Sequence, residues 1–309
     1  MANILELIGN TPLVEVKRMD TGRCSLYLKL ENQNPGGSIK DRIALAMIED
    51  AERSGVLKKG GLIVEATAGN TGLGLALVAV SKGYRLLIVV PDKMSQEKIF
   101  HLKAMGAEVV LTRSDVTKGH PEYYQDLAAR LARENRAFYV NQFGNPANPL
   151  AHYETTGPEI LADCPELDVF VAGLGTSGTL MGVGRYLKER KPGVRIVAVE
   201  PPAGEDVQGL RSLEEGYIPP IFDPDVLDRR FVVRLDESVT WTRRLAELGI
   251  FAGLSSGAVM AGAAKVAATM DKGTIVALLP DGGWKYLSTG AWTDDIDAVV
   301  ERARRIIYF

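Results

Sequence analysis

Short apolar segments at 26–30, 62–65, 86–90, 109–111, 138–140, 169–172, 196–199 and 275–279 alternate with helical patterns at 73–81, 97–105, 123–134, 179–189 and 259–269. A strand that is apolar at nearly every position must be covered on both faces, and the intervening helices are what cover it. The alternation therefore predicts an α/β chain built on mostly parallel sheets flanked by helices. Such sheets bind ligands in the crevice beyond the carboxyl ends of their strands, which directs attention to the loops that follow strands. The 309 residues allow one large or two medium domains. Residues 141–149, rich in Asn, Pro and Gly, read as a crossing between domains. Residues about 200–230 carry Glu200-Pro201-Pro202, Pro219-Pro220 and Asp223-Pro224 with weak periodicity, and read as a long excursion or an interface segment.

The loop Asn34-Pro35-Gly36-Gly37-Ser38-Ile39-Lys40-Asp41-Arg42 is the most distinctive of these connections. Asn-Pro before two glycines makes a tight turn, since Pro fixes its own φ and Gly permits φ > 0. Ser38 reads as an N-cap, with Ile43, Ala44, Met47, Ile48 and Ala51 at helical spacing beyond it. Lys40 is thereby placed in the first turn of a mostly buried helix, where the helix dipole disfavours an ammonium and burial disfavours it further. An amine so placed suits Schiff-base chemistry. An ordinary lysine at a helix start, near solvent, is the alternative.

Two more turns rich in small residues join strands to helices. Glu65-Ala66-Thr67-Ala68-Gly69-Asn70-Thr71-Gly72 lets backbone N–H groups face a ligand, and a carboxylate suits such a helix N-terminus. A capped structural turn is the alternative. Gly173-Leu174-Gly175-Thr176-Ser177-Gly178-Thr179 matches G-x-G-x-x-G, with Glu200 ending the next strand where a ribose-binding acid would stand. A dinucleotide site is one reading. The hydroxyls of Thr176, Ser177 and Thr179 suit a terminal phosphate better than a bridging pyrophosphate, and a lone phosphate site is the other. A third turn, Gly253-Leu254-Ser255-Ser256-Gly257-Ala258, opens a further helix; its serines read either as N-caps or as a hydroxyl facing a neutral ring nitrogen.

The remaining composition narrows the chemistry. A net charge of −3 provides no bulk attraction to nucleic acid or an anionic membrane. The start, Met1-Ala2-Asn3-Ile4-Leu5-Glu6, lacks the features of a signal peptide, and no apolar run approaches a transmembrane length, so a soluble cytoplasmic protein is expected. Cys24 and Cys164 are too few and too distant for a disulfide framework or a metal cluster. His101, His120 and His152 lack metal-ligand spacing, and no metal is expected. There is no P-loop lysine. Lysine chemistry with a phosphorylated cofactor remains.

Together the three loops and Lys40 resemble fold type II of the pyridoxal-phosphate enzymes, the tryptophan synthase β family, and within it the cysteine synthases. The resemblance runs nearly end to end, through Ile8-Gly9-Asn10-Thr11-Pro12-Leu13, Pro35-Gly36-Gly37-Ser38-Ile39-Lys40-Asp41-Arg42, Thr67-Ala68-Gly69-Asn70-Thr71-Gly72, Gln142-Phe143-Gly144-Asn145-Pro146-Ala147-Asn148, the 175–179 loop and Ser255-Ser256-Gly257-Ala258. It implies two α/β domains, one of about residues 37–145 and one of 1–36 with 146–309, with pyridoxal 5′-phosphate in the cleft between them, in a homodimer. It implies that Lys40 holds the cofactor as a Schiff base and then serves as the Cα base. Asn70 would bond the pyridoxal 3′ oxygen, Gly175, Thr176, Ser177, Gly178 and Thr179 would cradle the phosphate, and Ser255 would face the pyridine nitrogen. Thr67, Ala68, Gly69, Asn70, Thr71 and Gln142 would line the substrate carboxylate site. Ala68 stands where the family usually has a serine, which removes one hydroxyl and leaves the backbone donors.

The segments Gly209-Leu210-Arg211-Ser212-Leu213-Glu214-Glu215-Gly216 and Gly282-Gly283-Trp284-Lys285-Tyr286-Leu287-Ser288-Thr289-Gly290 resemble the B-type branch. That likeness implies β-replacement through an α-aminoacrylate, from O-phosphoserine or O-acetylserine to cysteine. Sulfur would come from sulfide or from a small carrier protein ending in a thiocarboxylate. Arg211 would read a substrate phosphate, as a bidentate guanidinium can; a solvated or structural arginine, or one paired with Glu214 or Glu215, is the alternative. A serine or threonine dehydratase, a cystathionine β-synthase and, from another class, a dinucleotide-binding dehydrogenase or sensor are the competing functions.

Overall fold

The computed structural model describes residues 3–67, 69–92 and 96–303. Within them the strands are β1 (Leu13–Glu15), β2 (Cys24–Leu30), β3 (Leu62–Ala66), β4 (Arg85–Pro91), β5 (Glu108–Thr112), β6 (Phe138–Tyr139), β7 (Val169–Gly173), β8 (Arg195–Glu200), β9 (Arg229–Val232) and β10 (Gly273–Leu279). Four of them, in the order β5-β4-β3-β6, make an all-parallel sheet. The other six, β1-β2-β10-β7-β8-β9, make a second sheet that is parallel except for β1, which pairs antiparallel with β2.

Both faces of both sheets are covered, as continuous apolar strands require. Along β3 and β4, Ile63, Ile88 and Val90 pack with Ile43 and Met47 of the helix Lys40–Arg53 and with Leu75 and Val78 of the helix Asn70–Lys82. The alternate residues Val64, Leu87 and Val89 meet Tyr124, Leu127 and Ala128 of the helix Tyr124–Glu134. In the larger sheet, Val169, Val171, Val197 and Val199 face Val259 and Ala263 of the helix Leu254–Ala267. Phe170, Ala172, Ile196 and Ala198 face Leu180, Met181 and Leu187 of the helix Gly178–Arg190. Each buried Val, Leu, Ile, Met or Phe among them contributes roughly 1.5–3 kcal/mol by leaving water, so parity along a strand assigns its two faces firmly.

Some local expectations are corrected. Ser38 is not the N-cap of its helix. Ile39 takes that position with helical φ/ψ, and Ser38 Oγ accepts from Lys40 N at 3.3 Å. Ser38 is drawn into an antiparallel bridge with Asp281, and Ile39 N donates to Pro280 O at 2.9 Å, so the start of the helix is tied to the exit of β10. The last glycine-rich turn is capped by Gly253, and Ser255 and Ser256 already lie inside the helix Leu254–Ala267. β1 and β9 are edge strands with no matching apolar run; β9 begins with the exposed Arg229 and Arg230, as suits an edge. Cys24 and Cys164 are both buried and unbonded. No helix of the described residues is long and apolar enough to cross a membrane. The tail Arg304-Arg305-Ile306-Ile307-Tyr308-Phe309 lies outside the described residues.

Candidate active site

Strands of both sheets deliver their carboxyl ends to one cleft. Residues after β3 bring Thr67, Gly69, Asn70 and Thr71 to it, those after β7 bring Gly175 and Thr176, and those after β8 bring Arg211. Lys40, Gln142 and Ser255 complete this wall. An adjoining cavity leads from Lys40 to Gly175, Thr176, Ser177, Gly178 and Thr179. Every described residue that the resemblance assigns to the cofactor or the substrate thus borders one connected space. Ala68 lies outside the described residues.

Lys40 opens the helix Lys40–Arg53 and is half-buried because its side chain borders the cleft. Enclosure by the walls nevertheless lowers its amine to about 8; Asp281 and Glu31 oppose the shift and Lys285 reinforces it. A neutral amine is therefore accessible near physiological pH.

The 175–179 loop is shaped for an anion. Gly175 and Gly178 leave no room for side chains: a Cβ on Gly175 would stand 2.7 Å from Gly209 O, and one on Gly178 would stand 1.9 Å from Asn148 Oδ1. Ser177 holds the left-handed conformation at φ 70° and caps the helix Gly178–Arg190 without a side-chain bond to it. Gly178 N reaches Thr176 Oγ1 at a long 3.4 Å, and the remaining first-turn N–H groups of that helix are left for a ligand. The Ser177 hydroxyl is buried without a protein partner, which a phosphate oxygen would supply. Asn148 Nδ2 donates to Gln142 O (2.8 Å) and Thr176 Oγ1 (3.1 Å), tying the cradle to the opposite wall. His152, fully enclosed, lies 2.9 Å from Thr156 Oγ1 and 3.4 Å from Thr179 Oγ1. Burial, aided by Arg42 and Lys40, holds its imidazole well below the usual range, so it is neutral.

Across the cleft, Thr71 Oγ1 donates to Gln142 Oε1 at 2.6 Å, which turns the Gln142 NH₂ group away from that contact. Asn70 is gripped by Asp281 and Lys285. Arg211 donates from Nη2 to Tyr124 OH at 2.9 Å, and its guanidinium lies 4.8 Å from the Phe143 ring centre and 5.4 Å from that of Tyr217. Lys98, also on the cleft wall, donates to Gln208 Oε1 at 3.1 Å. Asn148, His152, Lys98, Asp281 and Lys285 were not singled out from the sequence. Asn148 and Lys285 did fall inside quoted motifs, but nothing local to them says what they touch.

The dinucleotide alternative loses its acid. Glu200 is buried and accepts from Leu213 N at 2.9 Å and Arg230 Nη1 at 2.8 Å, so it is committed to the fold and does not face the glycine loop's ligand space. Among the described residues no group of three or more His, Cys, Asp or Glu is placed to hold a metal ion.

Comparison with known proteins decides between the remaining readings. The family described as pyridoxal-phosphate dependent enzyme matches residues 4–281. This chain belongs to that family. A cysteine synthase of Staphylococcus aureus is 46% identical over 306 residues, covering 95% of this chain and 97% of that protein. Cysteine synthase B of Escherichia coli is 42% identical over 299 residues, covering 96% and 97%. Among solved structures, an O-ureido-L-serine synthase superposes with a TM-score of 0.89 at 40% identity, covering 94% of this chain and 95% of that one. A hydrogen sulfide-producing enzyme from Fusobacterium nucleatum gives 0.87 at 40%, covering 93% and 100%. As a pyridoxal-phosphate-dependent enzyme, the chain needs an amine for the cofactor's aldehyde and a pocket for its phosphate. Lys40 and the sterically tight 175–179 cradle with its unpartnered Ser177 hydroxyl fit both needs.

Proposed function

We propose that this protein is a cysteine synthase that replaces the β-substituent of an activated serine with sulfur. One observation carries the reading: a cleft-bordering amine, Lys40, lies between an anion cradle and a small-residue loop suited to a carboxylate, in a chain 42–46% identical to cysteine synthases over nearly its whole length. When bound, pyridoxal phosphate supplies the electron sink that acidifies the substrate Cα–H. The first-turn N–H groups of the helix Gly178–Arg190, with the Thr176, Ser177 and Thr179 hydroxyls, would hold its phosphate, and Asn70 would bond its ring oxygen. Ser255, nearly fully buried at the start of its helix, would offer a neutral hydroxyl to the ring nitrogen, which makes the ring a weaker electron sink than a carboxylate partner would. The N–H groups of Gly69, Asn70 and Thr71, with Thr67 and the Gln142 amide, would receive the substrate carboxylate. Lys40 Nζ then takes the Cα proton, a task for which an amine lowered to about 8 is better matched than an ordinary lysine.

Residues 37–145, which contain the four-stranded sheet, form the smaller domain on this reading, and 1–36 with 146–309 form the larger; a homodimer in the cytoplasm is the expected form. Turnover with O-phosphoserine or O-acetylserine in the presence of sulfide tests the function. Cysteine as the main product supports it, whereas pyruvate would assign a dehydratase. Uptake of the cofactor adds a pH test. On mixing the cofactor-free protein with pyridoxal phosphate, the rate of visible-band growth rises with pH and levels off above about 8, because only the neutral amine attacks. A rate still climbing towards the ordinary lysine value of 10.5 contradicts the lowered amine.

Arg211 selects the donor. Its guanidinium borders the cleft beside the Phe143 and Tyr217 rings and donates to Tyr124 OH. A phosphoserine donor offers it a dianion; an acetylserine donor does not. Arg211→Ala raises KM for O-phosphoserine roughly ten- to hundredfold, the range of a charge-assisted hydrogen bond, and changes KM for O-acetylserine little. Equal effects on both donors sink the assignment. Where O-phosphoserine is the donor, a carrier-protein thiocarboxylate is the companion sulfur source to assay against sulfide.

A further inference from the structure

The Asn70 side chain is held from two sides by groups that cannot exchange roles. Lys285 Nζ, a donor only, lies 2.9 Å from Asn70 Oδ1. Asp281 Oδ2, an acceptor when ionised, lies 2.7 Å from Asn70 Nδ2. An asparagine amide ordinarily flips between two orientations of similar shape. Here a flip would set NH₂ against an ammonium and a carbonyl against a carboxylate, losing both contacts at once. The clamp is itself anchored. Asp281 is fully buried and accepts from Tyr286 OH at 2.5 Å, and its backbone bridges Ser38. Lys285 Nζ also donates to Gly36 O at 3.1 Å, in the loop that carries Lys40. Asp281 takes one Asn70 amide hydrogen and leaves the other for an acceptor in the cleft that Asn70 shares with Lys40.

We propose that Asp281 and Lys285 are positioning residues that lock the Asn70 amide as a hydrogen-bond donor to the ring oxygen of pyridoxal phosphate. The inference rests on the reading of Asn70 as the partner of that oxygen. A locked donor stabilises the ionised oxygen over the neutral one. The ratio of the long- to the short-wavelength cofactor band in the holoenzyme, read at one pH, therefore reports the lock without recourse to turnover. Asn70→Ala lowers the ratio and sets the full effect. Lys285→Met, which keeps the stem and removes the donor, lowers the ratio roughly tenfold or more, and Lys285→Arg restores most of it. In the Asn70→Ala background Lys285→Met changes nothing further, because the residue acts only through Asn70. If Lys285→Met yields no holoenzyme, Asp281→Asn, which preserves shape but offers a donor as well as an acceptor, must lower the ratio in the same direction. An unchanged ratio in whichever variant is read, alongside a shifted Asn70→Ala, overturns the inference. So does a Lys285→Met shift that persists without Asn70. An Asn70→Ala protein with an unaltered ratio instead removes the Asn70 assignment on which the inference stands.

Discussion

Lys40→Ala abolishes the visible cofactor band and lowers cysteine formation by about a thousandfold or more, since it removes both the covalent anchor and a general base that alone contributes about 10²–10⁴. Lys40→Arg fails equally, although it keeps a cation at the same place, because a guanidinium does not deprotonate in the accessible range and is no nucleophile. The loss is chemical, not structural. Lys40 makes its fold contacts through the backbone at the start of the helix Lys40–Arg53, and its side chain borders the cleft. Burial holds its amine at about 8 against an ordinary 10.5, so at neutral pH folding works against its protonated state, and removing the amine does not weaken the fold. Denaturant unfolding of Lys40→Ala is therefore expected at or above the midpoint of the cofactor-free parent. Activity within tenfold of the parent, or a visible band surviving in Lys40→Ala, contradicts the role.

What the chain discloses by reading alone follows from how local each requirement is. The strand–helix alternation and the three small-residue turns are legible because a parallel strand must be apolar throughout and a backbone that wraps a ligand must be small. Lys40 is legible because Pro35, Gly36 and Gly37 pin it to a turn before a helix. The misread Ser38 shows where that logic stops. A serine before an apolar periodic stretch signals an N-cap, but the bridge to Asp281 and the bond from Ile39 N to Pro280 O come from more than two hundred residues away and shift the helix start. The Asn70 clamp hides for the same reason: Asp281 and Lys285 lie on another strand's exit, and no spacing rule links them to α-helical residue 70. The edge strand Arg229–Val232 is hidden by its own charges, which suit an edge and erase the apolar run by which strands are found.

Arg42→Met lowers the free energy of unfolding by about 3–5 kcal/mol, the cost of leaving a buried charge without its partner. Arg42, one residue beyond Asp41 in the lysine loop, is buried and bidentate twice. It donates to Glu31 Oε2 (2.7 Å) and Oε1 (2.8 Å) through Nε and Nη2, and to Glu159 Oε1 and Oε2 (both 2.7 Å) through Nη1 and Nη2. Glu31 has no exposed surface and takes further bonds from Thr11 Oγ1 at 2.6 Å and Asn34 Nδ2 at 2.8 Å; Glu159 is also paired with the buried Lys29 at 2.8 Å. Two cations therefore face two carboxylates, and deleting Arg42 strands Glu31. Glu31→Met costs a similar amount by stranding Arg42, but the double variant loses less than the sum, since Lys29 and Glu159 still balance. Acid adds a second signature. Arg42 and Lys29 hold the Glu159 carboxyl down to about 2 against an ordinary 4.5 despite its burial. Its pKa is lower folded than unfolded, so its contribution is complete above about 4.5 and disappears as pH falls towards 2. Arg42→Met flattens that part of the stability profile. A loss below about 1 kcal/mol, or additive single-variant losses, would show that the cluster is a surface-like pair contributing little, and the lysine loop would then owe its position to backbone contacts alone.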